Sequence, residues 1–313
     1  MYYPFFRGKQ FELTTITNLS DELINSGKII PIVEPVSNNR DMKSHFPGFV
    51  EKNLPLILIV NPFYPRESPL SITEVESLFI SPNYSYSNLI PAILINSNTL
   101  TRAEQGFITR YRDKPITFIH FQELSNTQWI LGELSHRAKK TLHVFYDGKI
   151  SQTYQNIFKS RDKIILRDCF HTQAKNANYP PDEFFSDLYF NYQSLGYSGF
   201  SDFSIVGDSF GKGGRAHAVA IHFVYPEKTP INTSNIRIAH FLSDTNGSPT
   251  NPGGKYIEAL GKLISFVNQN PRCNFGKGVA EFRSNHNQSH FPGLGVVKKI
   301  SMIHHMELIF QIL

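Results

Sequence analysis

Short apolar runs follow one another at an even pace in this chain: KIIPIVE (28–34), LPLILIVN (54–61), LIPAILIN (89–96), PITFIHFQ (115–122), TLHVFYD (141–147) and KIILRD (163–168). Each is rich in β-branched and aromatic residues and is bounded by turn-forming residues, which is how strands read. None alternates strictly between apolar and polar. Continuous apolarity marks a strand covered on both faces, and such strands belong to parallel sheets.

The intervening segments read as helices. TRAEQGFITRYR (101–112) opens on Thr101 with Glu104 three residues on, the spacing of a capping box. SNTQWILGELSHRAKK (125–140) ends in lysines that suit a helix C-terminus, and SQTYQNIFKS (151–160) is a shorter candidate. PPDEFFSDLYFNYQSLGYSG (180–199) has proline and acids in its first turn and glycine at its exit, so it predicts another helix. Strand and helix in alternation imply right-handed crossovers onto a parallel sheet.

Past residue 200 the rhythm changes. DFSIVG (202–207) predicts a seventh strand, then the glycine-rich DSFGKGGR (208–215) runs into AHAVAIHFVYP (216–226) with no room for a crossover helix. NIRIAHFLSD (235–244) is a further strand, and PGGKYIEALGKLISFVNQN (252–270) places Tyr256, Leu260, Leu263, Ile264 and Val267 on one helical stripe. The tail from Val296 to Leu313 reads as a last helix. The class that fits is α/β: a single (β/α)8 TIM-barrel-like domain over residues 1–313, with no composition break to mark a second domain. Its C-terminal part is irregular, with an extra strand or hairpin at about 203–244 that joins the barrel or stands beside it. The tetrapeptide HFPG occurs at 45–48 and 290–293, too short a match to be a repeat.

A barrel of parallel strands puts every C-terminal strand end on one rim, where the chemistry of such folds sits. Glu34, Asn61, Asn96, Gln122, Asp147, Asp168, Asp208 and Asp244 all fall at or just past the end of an apolar run. An open doubly wound sheet would collect such groups at a switch point instead. Asp and Asn also end strands simply because they favour turns.

Three places carry sharper expectations. In IILRDCFHTQ, Arg167 and Asp168 close a strand and His171 follows, so Asp168 and His171 can share a metal or act as an acid/base pair. An Arg167–Asp168 contact that only holds the rim is the competing reading. In GDSFGKGGR, glycines surround Lys212 and Arg215, and such a loop can turn backbone N–H groups toward an anion. It lacks the P-loop ending and the dinucleotide spacing, and a plain hairpin turn competes. The loop after Asp244 is a lid or a turn. In HHMEL, His304 and His305 diverge by about 100° on a helix and do not face one ion together. Cys169 is turned from Asp168 by strand alternation and is no candidate nucleophile.

At 40 % hydrophobic and 18 % charged residues the composition is globular. The net charge of +5 comes without a basic block, a modest hint of phosphate-bearing ligands and a weak one of nucleic acid. No apolar run approaches the roughly 20 residues that span a bilayer. The N-terminal MYYPFFRGKQFEL carries Arg7 and Lys9 where a signal peptide is apolar, and Cys169 and Cys273 make no disulfide framework. A cytoplasmic protein with no membrane partner is expected.

The opening MYYPFFRGKQFEL, the block DEFFSDLYFNYQSLGYSGFSDFSIVGDSF, the segment HFLSDTNGSPTNPGGKYIEAL and the end HFPGLGVVKKISMIHHMEL resemble bacterial proteins related to the phage-type beta protein family. The resemblance covers nearly the whole chain. It implies a barrel-like α/β fold and genetic pairing with a second small protein in mobile or defence-associated regions, and it carries over no catalytic residue.

The leading expectation is therefore a component of an antiviral or mobile-element module that hydrolyses a phosphate-bearing substrate, phosphodiesterase-like, at the barrel rim. Glu34, Asp147, Asp168 and Asp208 would hold a divalent metal (Mg or Mn), because converging carboxylates need neutralising. Asp168, Asp208 and His171 would be catalytic, His171 as proton carrier. Arg167, Lys212, Arg215, Asn61 and Asn96 would bind substrate. The alternative is a non-catalytic sensor or partner-binding protein working with a second protein from the same gene cluster, its aromatic N-terminus and HFPG segments forming the contact. Nucleic-acid binding is a third reading.

Overall fold

The computed structural model describes residues 1–36, 40–137, 139–158, 162–210 and 217–313. Packing divides the chain into two compact units, Met1–Asp168 with Asn191–Asp202, and Cys169–Phe190 with Phe203–Leu313. The chain passes from one to the other without a linker, so composition does not mark the division.

The first unit is a parallel α/β barrel. Its strands are β1 (Phe5–Phe6), β2 (Ile32–Val33), β3 (Leu56–Ile59), β4 (Leu89–Ile95), β5 (Ile116–His120), β6 (Thr141–Tyr146) and β7 (Lys163–Arg167). The chain then forms β8 (Asp182–Ser186) in the second unit and returns for β9 (Gly199–Asp202), which pairs with β7. A bridge between Tyr2 and Phe200, with Tyr3 N–H donating to Phe200 O at 2.9 Å, closes the ring. Closure is tight: a Cβ on Gly199 would come within 2.8 Å of the Tyr3 ring and 2.9 Å of Ile164 Cδ1.

Ladder partners share a face, so register and alternation define the interior. Phe5, Ile32, Ile57 and Ile90 align on the inside, as do Ala92, Thr117 and Leu142, then Ile164 and Gly199. Phe118, His120, His143 and Phe145 face outward, where Tyr154 and Phe158 pack on them. The capping box expected at Thr101 is present, with Glu104 N–H donating to Thr101 Oγ1 at 3.2 Å and Thr101 N–H donating to Glu104 Oε2 at 2.7 Å. The layer is thin after β6, where the helix Gln152–Gln155 is a single turn.

Two expectations about strands are corrected. The aromatic N-terminus is the first barrel strand, with Tyr2, Tyr3, Phe5 and Phe6 at most 3 % exposed, so it is core and no partner surface. The strand expected at 202–207 ends at Asp202, because Ser204 and Gly207 adopt φ of +51° and +75°, which no strand continues.

In the second unit β10 (Ala220–Pro226) and β11 (Ile236–Leu242) pair antiparallel, and β8 flanks β11. Of the 216–226 segment, Ala220–Pro226 thus belongs to a separate three-stranded sheet and not to the barrel. The helix expected over 180–199 is mostly not one: its start is β8, and only Leu188–Asn191 is helical. Pairing of Glu183 with Ile238 outweighs the local helical signal. Helices Pro252–Gln269, Gly276–Asn287 and Leu294–Ile312 complete the unit, and Tyr256, Leu260, Leu263 and Val267 form the stripe read from the sequence. The two HFPG stretches differ, the first lying inside the helix Arg40–Glu51 and the second preceding Leu294–Ile312.

Candidate functional site

At the C-terminal end of the barrel the inward positions following each strand are Arg7, Glu34, Asn61, Asn96, Phe121, Tyr146 and Asp168. Glu34 is 0 % exposed and forms an ion pair with Arg7. Its Oε1 accepts the backbone N–H groups of Phe63 at 2.6 Å and Tyr64 at 3.1 Å. The Arg7 guanidinium lies 4.6 Å from the Tyr64 ring centre. Glu34 is therefore a fully engaged buried anion that anchors a loop over the barrel end. That role commits both of its oxygens to the fold.

The other rim residues have comparable duties. Asn61 donates to Leu94 O at 2.9 Å and Glu104 Oε1 at 2.7 Å and accepts Leu94 N–H at 2.8 Å, stitching β3 to β4 beyond the last ladder pair. Asp147 and Arg167 point outward and pair at 2.6 Å. Asn96 and Asp168 are half-buried at their strand ends, and Gln122 is exposed. Asp208 and Asp244 belong to the second unit, where Asp244 pairs with Lys262 at 2.7 Å. The quartet Glu34, Asp147, Asp168 and Asp208 is thus not assembled within either unit. Among the described residues no three His, Cys, Asp or Glu side chains are grouped to hold a metal ion. Lys212 and Arg215 lie outside the described residues.

His171 leads to a different arrangement. Its Nδ1 lies 2.9 Å from Glu183 Oε2, and its side chain is 61 % exposed. The other oxygen of Glu183 lies 3.1 Å from His240 Nε2, and His240 Nδ1 lies 2.7 Å from His222 Nδ1. His222 and His240 are ladder partners on β10 and β11, and Glu183 lies on the same face through its pairing with Ile238. Phe170 and Tyr179 cover the histidines, the Tyr179 ring stacking on His240 at 4.8 Å.

Burial dictates the protonation pattern. It holds His222 well below the ordinary imidazole pKa, with further lowering from His240 and Lys298, and it lowers His240 against the opposing pull of Glu183. Both rings are therefore neutral at neutral pH. A carboxylate only accepts, so His240 must carry its proton on Nε2 and accept at Nδ1 from His222. Glu183 likewise accepts from His171 Nδ1–H, so the carboxylate orients an imidazole whose side chain is largely exposed. A carboxylate orienting an exposed imidazole in this tautomer is the arrangement of a general base.

The glycine-rich loop begins beside this histidine. A Cβ on Gly207 would approach Thr172 Oγ1 to 2.9 Å, and Ser209 Oγ donates to Thr172 Oγ1 at 3.4 Å. The sequence reading singled out His171 but not Glu183, His222 or His240. Each strand of the pair shows one histidine amid apolar residues, yet their facing depends on an antiparallel register that composition does not reveal. His304 and Glu307 in HHMEL are structural: His304 bonds Val224 O at 2.9 Å, and Glu307 accepts the Lys277 and Gly278 N–H groups at 2.6 and 3.0 Å.

Comparison with family models, with curated proteins and with solved structures gave no match. Among the described residues no helix is long and apolar enough to cross a membrane. The fold and geometry define an α/β barrel protein with a second unit that presents a histidine–carboxylate array.

Proposed function

We propose that the protein is a hydrolase of phosphate-bearing substrates whose general base is His171, oriented by Glu183. The observation that carries this reading is the 2.9 Å contact between Glu183 and the imidazole of His171, a side chain that is 61 % exposed. His171 Nε2 takes a proton from a water molecule whose oxygen attacks phosphorus. The P–O bond to the leaving group breaks, and the imidazolium returns the proton to the departing oxygen. Glu183 holds the ring and stabilises its charged form. Anion contacts from Lys212 and Arg215 remain part of the proposal on the strength of the glycine-rich sequence around them alone. A setting within an antiviral or mobile-element module, beside a linked partner protein, rests on the sequence resemblance and is part of the same proposal.

The test is release of nitrophenol from nitrophenyl phosphate and bis-nitrophenyl phosphate. His171→Ala is expected to lower turnover by roughly 10²–10⁴-fold, the usual contribution of a positioned general base. Glu183→Gln is expected to give a smaller loss, because the ring stays but its orientation is no longer held. No turnover by the intact protein, or turnover unchanged by His171→Ala, overturns the reading.

A further inference from the structure

Among the described residues, the outer face of β6 is only partly covered. The helix that follows it, Gln152–Gln155, is one turn long, and between Ile157 and Phe158 beyond this turn and the helix Gln128–Ser135 lies a cleft of about 490 Å³. That volume lies in the range of small-molecule sites, about 300–1,000 Å³. Leu131, Leu134, Ile157 and Phe158 form apolar walls, and Ser135, Thr141 and His143 bring polar atoms to it. His143 is 1 % exposed, so its ring belongs to the floor and not to the rim.

The hydrogen-bond chain behind His143 decides what the floor offers. The Leu124 N–H donates to Tyr154 Oη at 3.3 Å, and Tyr154 Oη lies 3.3 Å from His120 Nδ1. The phenol has one proton, and among the described residues His120 is the acceptor within reach, so His120 Nδ1 accepts. A neutral imidazole that accepts at Nδ1 carries its proton on Nε2. His120 Nε2 lies 3.1 Å from His143 Nδ1 and donates to it, which puts the proton of His143 on Nε2. Burial keeps both rings neutral, His143 being pushed down to about 3. His143 Nε2–H is then a fixed donor with no hydrogen-bond partner among the described residues.

We infer that this cleft binds a small, uncharged, largely apolar molecule carrying a carbonyl-type acceptor, which His143 Nε2–H engages. An anion or cation would lose its hydration among leucine, isoleucine and phenylalanine walls without a compensating charge. A pure hydrocarbon would leave the donor unsatisfied. The site lies within the first unit and does not depend on the hydrolase reading.

The probe is a propionyl-dimethylaminonaphthalene fluorophore, whose emission reports both apolar surroundings and a hydrogen bond to its ketone. Dimethylaminonaphthalene without the ketone is the control. The intact protein is expected to bind the ketone saturably and roughly tenfold more tightly than the control, the value of one hydrogen bond to a buried donor. Leu134→Trp fills the cleft and is expected to weaken both ligands at least tenfold. His143→Phe, a ring suited to its aromatic neighbours, is expected to keep binding but abolish the preference for the ketone. Saturable binding untouched by Leu134→Trp, absence of saturable binding, or an equal preference before and after His143→Phe overturns the inference. Leu134 is only partly buried, so that variant remains informative if the histidine variant fails to fold.

Discussion

Glu34 shows how a single residue serves the fold where a sequence suggests chemistry. A carboxylate with no solvent exposure is stable only when its charge is matched, and Arg7 with two backbone N–H groups does so. Removing either charge strands the other in a low-dielectric site. Glu34→Gln and Arg7→Met are each expected to lower unfolding free energy by about 3–5 kcal/mol, measured by urea denaturation. The losses should not add in the double variant, since the second substitution removes a charge already uncompensated. Additive losses would show that the two groups act independently. The exposed pair Lys52–Asp21, at 2.8 Å, is a fitting control because water screens it and its removal should change little.

At the scale of elements, the barrel depends on β9 meeting the residues just ahead of β1, Met1 to Tyr3. Gly199→Ala places a methyl within 2.8 Å of Tyr3 and 2.9 Å of the Met1 carbonyl, with backbone on one side that cannot yield. It is expected to destabilise by about 1–3 kcal/mol, the usual cost of overpacking, with a lowered thermal midpoint as the readout. A neutral result would mean that the seam is looser than its contacts imply. This seam also explains what could be read beforehand. The strands from β3 to β7 are legible because each is a continuous apolar run of the kind a parallel sheet uses. β1 and β9 are not, since Phe5–Phe6 lies in MYYPFFRGK, a stretch without a β-branched residue, and Gly199–Asp202 mixes glycine, serine and aspartate with one ring. A strand that short gains its identity from its neighbours. The same limit hid the array around Glu183: His171 stood out by its place after a strand, whereas His222 and His240 meet only through the register of β10 on β11.

Across the whole molecule, buried neutral histidines couple stability to pH. His120 and His143 in one unit, and His222, His240 and His304 in the other, all have pKa values lowered chiefly by burial, His143 and His304 to about 3. Their unfolded counterparts titrate near 6.5, so below that pH the unfolded chain binds protons that the fold refuses. Stability is therefore full above about pH 6.5 and declines as pH falls toward the folded values. Each such histidine contributes a slope of about 1.4 kcal/mol per pH unit, so His143 and His304 together remove about 4 kcal/mol by pH 5. That is a large part of the roughly 5–15 kcal/mol that holds a typical fold. Carboxylates such as Glu133, lowered by its hydrogen bond to Arg112, act only in a lower window, below the ordinary carboxylate range. Urea denaturation at pH 7.5, 6 and 5 should thus show a plateau followed by a steep loss before the carboxylates titrate. His143→Phe should flatten that loss by one proton's worth, because phenylalanine takes up none on unfolding. A stability unchanged from pH 7.5 to 5 would mean that these rings are charged or hydrated in the fold. The donor assigned to His143 Nε2 and the chain from His222 through His240 to Glu183 would then fail together, because each needs a neutral imidazole that accepts at one nitrogen while donating at the other.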